Sequence, residues 1–279
     1  MFNPIGIDIL KPRLSWVLES NQRCETQTAY RILVASSENK LENNEGDLWD
    51  TGKVLSNRSN QIEYEGTELT STIHCCWNVC VWDKNDVVSK YSDYAYWEMG
   101  LLYENDWKAK WIGFDHSFIQ KAIGAPYNVG LPSPFFRHSF ETQKSVKEAR
   151  VYSTSLGLYE LYINGSKIGN EEFAPGWTDY NKRIQYQTYD VTKMLLSGKN
   201  SIGGVLGDGW YIGNVAIAGR NQYGDYPLLL LVQMKIVFTD GTIEYIVSDN
   251  SWKGNTGPIC YSDIQMGEYY DAGKEFEGW

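Results

Sequence analysis

The stretch Leu158-Tyr159-Glu160-Leu161-Tyr162-Ile163-Asn164-Gly165-Ser166-Lys167-Ile168 decides the fold class. Its β-branched and aromatic residues alternate with a period of two, as a half-buried strand requires. Asn164-Gly165 tolerates the positive φ that a two-residue hairpin turn needs. Residues 232–239 and 242–247 repeat the pattern around Asp240-Gly241. Residues 30–35 and 76–82 carry the same alternation, so the sheets are antiparallel.

Helical pattern is scarce. Residues 37–44 predict one or two turns, and residues 190–198 predict a short helix opened by Asp190 or Thr192 and closed by Gly198. Neither is long enough to form a layer. Many short strands with turn signals every 8 to 12 residues predict an all-β chain of two sandwiches. Strand-like segments at 13–16, 28–35, 48–50, 62–64, 76–83 and 94–99 suit an immunoglobulin or fibronectin type III-like sandwich over residues 1–102. Residues 101–107 read as a linker. The remainder, 103–279, is too long for the same module and predicts a larger jelly-roll β-sandwich, with a long loop over 116–134 rich in Gly and Pro.

The 279 residues carry 25 Lys and Arg against 35 Asp and Glu, a net charge of -10. Such a surface repels phosphate backbones and anionic membranes, and no dense basic run exists, so neither nucleic acid nor membrane is an expected partner. The longest strongly apolar run, residues 228–232, is far short of the roughly 20 residues that span a bilayer. A soluble protein is expected, cytoplasmic or periplasmic; the start shows no secretory signal. The five cysteines read as reduced thiols. On a strand Cys76 and Cys80 lie roughly 13 Å apart, too far to bridge, and no zinc spacing links them to Cys260.

No residue pattern singles out a catalytic pair among 35 acids, and His74, His116 and His138 lack a nucleophile elbow or a zincin spacing. Gly203 to Gly209 resembles a phosphate loop only superficially, because no helix is expected to follow it. Three segments mix aromatic rings with Asp and Asn, the chemistry that stacks on a sugar's C–H face and accepts its hydroxyls. They are Gly176-Trp177-Thr178-Asp179-Tyr180-Asn181, Gly207-Asp208-Gly209-Trp210-Tyr211 and Asn221-Gln222-Tyr223-Gly224-Asp225-Tyr226. The carbohydrate-binding candidates are therefore Trp177, Asp179, Asn181, Trp210, Tyr211, Asn221, Tyr223 and Asp225. Ordinary turns have the same composition. Asp179, Asn181, Asn221 and Asp225 also offer the hard oxygens that calcium takes, should their loops converge, although no EF-hand spacing occurs.

Several phrases resemble the N-terminal region of bacterial α-L-rhamnosidases, in one order along the chain. They include Asn3-Pro4-Ile5-Gly6-Ile7-Asp8, Lys11-Pro12-Arg13-Leu14-Ser15-Trp16, Asp47-Leu48-Trp49-Asp50-Thr51-Gly52 and Asp106-Trp107-Lys108-Ala109-Lys110-Trp111-Ile112-Gly113. Further on come Ala174-Pro175-Gly176-Trp177-Thr178-Asp179-Tyr180, Leu206-Gly207-Asp208-Gly209-Trp210-Tyr211 and Gly267-Glu268-Tyr269-Tyr270-Asp271-Ala272. The resemblance implies an Ig-like domain followed by the jelly-roll domain that precedes catalysis in that family. It also implies that the catalytic carboxylates of an inverting glycosidase sit in a downstream (α/α)6 barrel, the expected partner of this region. No catalytic or metal-binding residue is carried over, and the 279 residues are expected to be inactive by themselves. A stand-alone carbohydrate-binding or adhesion module is the alternative expectation.

Overall fold

The computed structural model describes residues 2–117 and 119–276. Its chain divides into two compact units, Met1–Asp106 and Trp107–Trp279. The division falls after Asp106 rather than at 102. The Asp106 carboxylate accepts the backbone N–H groups of Leu102 and Tyr103 and the Ser71 hydroxyl, which ties the expected linker into the first unit. Trp279, taken as the end of the second domain, lies outside the described residues.

Among the described residues the first unit has seven strands: β1 (Arg13–Leu14), β2 (Ala29–Ala35), β3 (Trp49–Asp50), β4 (Val54–Leu55), β5 (Ile62–Glu63), β6 (His74–Trp82) and β7 (Ala95–Glu98). Six occupy the expected segments, and β4 is the addition. One sheet runs β3-β2-β6-β7 with β4 also on β2, and β1 pairs with β5. Alternation along β6 sends Cys75 into a core with Ile32, Val34, Tyr64 and Trp97, and Cys76 to the opposite face against Leu33 and Leu41. Leu41 comes from α1 (Glu38–Glu42), the expected helical turn. All five cysteines are free thiols, and burial pushes Cys75 up to about 12 and Cys76 up to about 11, which leaves both unreactive near neutrality.

The second unit begins with β8 (Ile112–Gly113), β9 (Pro134–Thr142), β10 (Val146–Leu156), β11 (Leu158–Ile163), β12 (Ser166–Lys167) and β13 (Gln187–Asp190). It continues with β14 (Gly198–Gly207), β15 (Leu229–Phe238), β16 (Ile243–Val247), β17 (Lys253–Thr256), β18 (Ile259–Asp263) and β19 (Gly267–Tyr270). One large sheet is ordered β13-β10-β15-β16 with β8 on β15, a second is β12-β11-β14-β9-β17, and β18 pairs with β19 in a separate two-stranded sheet. Every connection from β8 to β17 passes between the two large sheets except β11–β12 and β15–β16, the jelly-roll manner of sharing one core. Leu161, Ile163, Ile202 and Leu206 face Val151, Leu230, Val232, Met234 and Ile236 there, each worth about 1.5–3 kcal/mol of burial.

Three local expectations change. The 190–198 segment holds only a 3₁₀ turn at Thr192–Met194, and Gly198, at φ 92°, opens β14 instead of closing a helix. Buried Asn200 explains this: its side-chain amide donates to Leu196 O (2.8 Å) and Gly198 O (3.0 Å) and accepts Leu196 N–H (2.8 Å). Those backbone groups are satisfied without helical bonds. Asn164-Gly165 is a two-residue turn, but the second hairpin closes over Thr239, Asp240 and Gly241, with Phe238 bonded to Thr242 and Gly241 at φ 83°. A single helical turn, α2 (Gly209–Ile212), follows the glycine-rich strand β14, where none was expected.

An aromatic shelf above a buried carboxylate network

Gly209 sets the direction of the site. It leaves β14 at φ 54°, and a Cβ there would stand 2.5 Å from Leu158 Cγ, so only glycine turns the chain this tightly against β11. The turn delivers Trp210 and Tyr211 beside the loops that precede β13 and β15. Trp177 and Trp210 lie parallel, with centroids 5.8 Å apart and planes 5° from each other. Phe173 packs on Trp210 (5.9 Å), and Tyr180 touches both Tyr211 and Tyr223 at 5.4 Å. The Trp177 indole N–H donates to the Tyr223 hydroxyl (3.1 Å), which fixes the ring's orientation. Gly224 backs the Tyr211 ring so closely that a Cβ would lie 2.2 Å from Cζ.

The result is a shelf rather than a cleft. Rings stacked at 5.8 Å admit no third ring between them. Phe173 and Trp177 nevertheless keep 57% and 53% of their surface open. A ligand with an apolar face meets those outer surfaces. Burial holds the Tyr180 hydroxyl up at about 12, and it donates to Gly176 O (3.1 Å), so it stays a neutral prop for the shelf.

Of the sequence candidates, Trp177, Trp210, Tyr211 and Tyr223 converge. Asp179 and Asn181 close their own turn: the Asp179 carboxylate accepts Asn181 N–H (3.2 Å) and pairs with Lys182 (2.9 Å), which holds it below the usual carboxylate range. Asn221 and Asp225 close another: Asn221 donates to Asp225 (3.1 Å), which also accepts Tyr226 N–H (2.8 Å). Among the described residues no group of three or more His, Cys, Asp or Glu is placed to hold a metal.

Beneath the shelf lies a network that the sequence candidates omit. Asp208, 2% exposed, accepts from Arg220 (2.8 Å) and from the Tyr226 hydroxyl (2.9 Å). Arg220 also donates to Asp263 (3.2 Å), whose carboxylate further accepts Asn214 N–H and amide and the N–H groups of Gln265 and Met266. Tyr226 in turn accepts Leu131 N–H at 2.7 Å. Burial raises Asp208 against the opposing pull of Arg220 and Tyr226, and burial likewise raises Tyr226. Both Asp208 oxygens are occupied by internal donors. The network is chemically a staple that joins the β8–β9, β14–β15 and β18–β19 connections, not a proton donor facing a substrate.

Similarity to known proteins agrees with this architecture. Residues 1–103 match the family described as Rha78A-like, N-terminal immunoglobulin domain, and residues 144–279 match the α-L-rhamnosidase N-terminal domain. An α-L-rhamnosidase of Formosa agariphila is 37% identical over 295 aligned residues, covering 99% of this chain and 31% of the relative. The solved α-L-rhamnosidase of Dictyoglumus thermophilum superposes with a TM-score of 0.89 at 43% identity, covering all of this chain and 31% of that one. The Streptomyces avermitilis α-L-rhamnosidase, solved with L-rhamnose, gives 0.91 at 26% identity and is 42% covered. The chain thus spans about a third of the length of the first two relatives and 42% of the third. It belongs to the α-L-rhamnosidase family as an N-terminal region, an immunoglobulin-like domain followed by the family's N-terminal β-sandwich.

Proposed function

We propose that this chain is the non-catalytic front of an α-L-rhamnosidase, supporting a downstream (α/α)6 catalytic domain and presenting its aromatic shelf to a rhamnose-containing glycan. The observation that carries the reading is the end-to-end match to between 31% and 42% of each relative. In the reading, the acid and the water-activating base of an inverting glycosidase belong to the downstream domain. The internal use of Asp208 and Asp263 agrees with that division: the most buried acids of the second unit are spent on Arg220 and backbone donors. The shelf's open rings suit a sugar's C–H face, and its binding is read without a resident cation. A stand-alone binding module is the less favoured reading, because the relatives are about three times longer.

The test uses the full-length Formosa agariphila relative. Removing the region that matches this chain should leave a remainder that is poorly soluble or melts well below the intact enzyme. A remainder with unchanged melting temperature and unchanged kcat/KM on a rhamnoside would overturn the supporting role.

A further inference from the structure

A cavity of about 580 Å³ opens in the second unit beside Tyr226, whose hydroxyl bonds Asp208, and is lined among others by Phe114, Asp115, His116, Ser117, Leu131 and Tyr226. Its size falls in the range of small-molecule sites, which combine aromatic walls with a few polar groups. His116 is 7% exposed and sits between Phe114 (5.2 Å) and Tyr226 (5.0 Å). Its Nε2 donates to Pro132 O (3.1 Å), which leaves Nδ1 as the ring's other nitrogen. That Nδ1 is buried and has no hydrogen-bond partner. At the rim, the Asp115 carboxylate accepts Ser117 N–H (2.8 Å), and the backbone and hydroxyl of Ser117 hold it below the usual carboxylate range.

These features select a ligand class. Among the described residues no Lys or Arg lines the cavity, and an ionised carboxylate stands at its rim, so an anion is repelled. A wholly apolar guest would desolvate that carboxylate without compensation. What fits is a neutral ring with one apolar face and several hydroxyl donors. Building on the carbohydrate reading of this region, we propose that the cavity is a second sugar subsite, separate from the shelf. One monosaccharide ring lays its C–H face on Tyr226, next to His116, and donates hydroxyls to Asp115 and Ser117.

The chain has three histidines, which makes their imidazole signals resolvable by proton–carbon correlation spectroscopy. Titration of the purified chain with L-rhamnose to tens of millimolar should move the His116 signal saturably while His74 and His138 stay still. Asp115→Ala, on the exposed rim, should weaken that response about tenfold, the value of one lost hydrogen bond to a charged group. Ser117→Trp should block the mouth and abolish it; if that variant does not fold, Asp115→Ala decides alone. Trp177→Ala should leave the His116 response intact while removing the change in tryptophan fluorescence that reports the shelf. A His116 signal that never moves, or one that titrates normally in Asp115→Ala, overturns the subsite. A His116 response lost in Trp177→Ala assigns the effect to the shelf and overturns it too. Fluorescence unchanged by sugar while His116 still responds would count against the shelf reading alone.

Discussion

At the scale of single residues, Arg220 has the most consequence for stability. One guanidinium, 14% exposed in its side chain, answers two carboxylates that are 3% and 0% exposed. Replacing it with Met keeps most of the volume and leaves Asp208 and Asp263 without their cation. Removing one partner of a buried pair costs about 3–5 kcal/mol, so Arg220→Met should lose that much in urea denaturation, read at the transition of the second unit. A loss under about 1 kcal/mol would show that the network is ornamental. Trp177, Trp210, Tyr211 and Tyr223 were legible in the sequence, because aromatic residues beside Asp, Asn and Gly mark a turn and a stacking surface at once. The network was not. Asp208 and Asp263 read as two acids among 35, and Arg220 meets Asp263 across 43 positions of sequence, a distance that only the jelly-roll topology closes. Phe173 and Tyr180, which complete the shelf, stood inside or beside a quoted segment without any feature to separate them from core aromatics.

At the scale of elements, hairpin chemistry was readable and helix chemistry was not. Asn164-Gly165 turns where it should, at φ 51° and 82°, because both residues tolerate the left-handed region. The 190–198 segment has a respectable helical pattern, yet Asn200 and Asn164 take the carbonyls and amides that helical bonds would use. Asn200→Ala should therefore cost about 2–3 kcal/mol, since several enclosed backbone groups lose their partner together. Thermal unfolding with an unchanged midpoint would contradict that account. In the first unit, β2 and β3 are clamped by Arg31, which donates twice to Asp50 (2.9 and 2.7 Å) and holds its carboxyl below the ordinary range. A depressed carboxylate adds stability above its unfolded value, about 3.9, and loses it as pH falls through the lower folded value. The pair is over a third exposed on the Asp50 side, so the contribution is under about 1 kcal/mol. Arg31→Gln should therefore lower the melting temperature at pH 7 by an amount worth under about 1 kcal/mol and flatten the acid limb below about pH 4, so that the variant and parent profiles meet at low pH.

At the scale of the molecule, the fold class followed from period-two patterning and hairpin dipeptides, and the ordered phrases located the chain within a family. The first unit's boundary moved to Asp106 because a carboxylate three and four residues downstream captures the amides of Tyr103 and Leu102, a tertiary effect with no compositional trace. Both units bury apolar faces between antiparallel sheets, and the second spends its most enclosed acids on holding loops together. The central claim is that these 279 residues shape and support but do not cleave. The purified chain should therefore leave p-nitrophenyl α-L-rhamnoside intact, with release of nitrophenol no faster than in buffer alone. Sustained release proportional to the concentration of this chain, and abolished with its unfolding, would contradict the account.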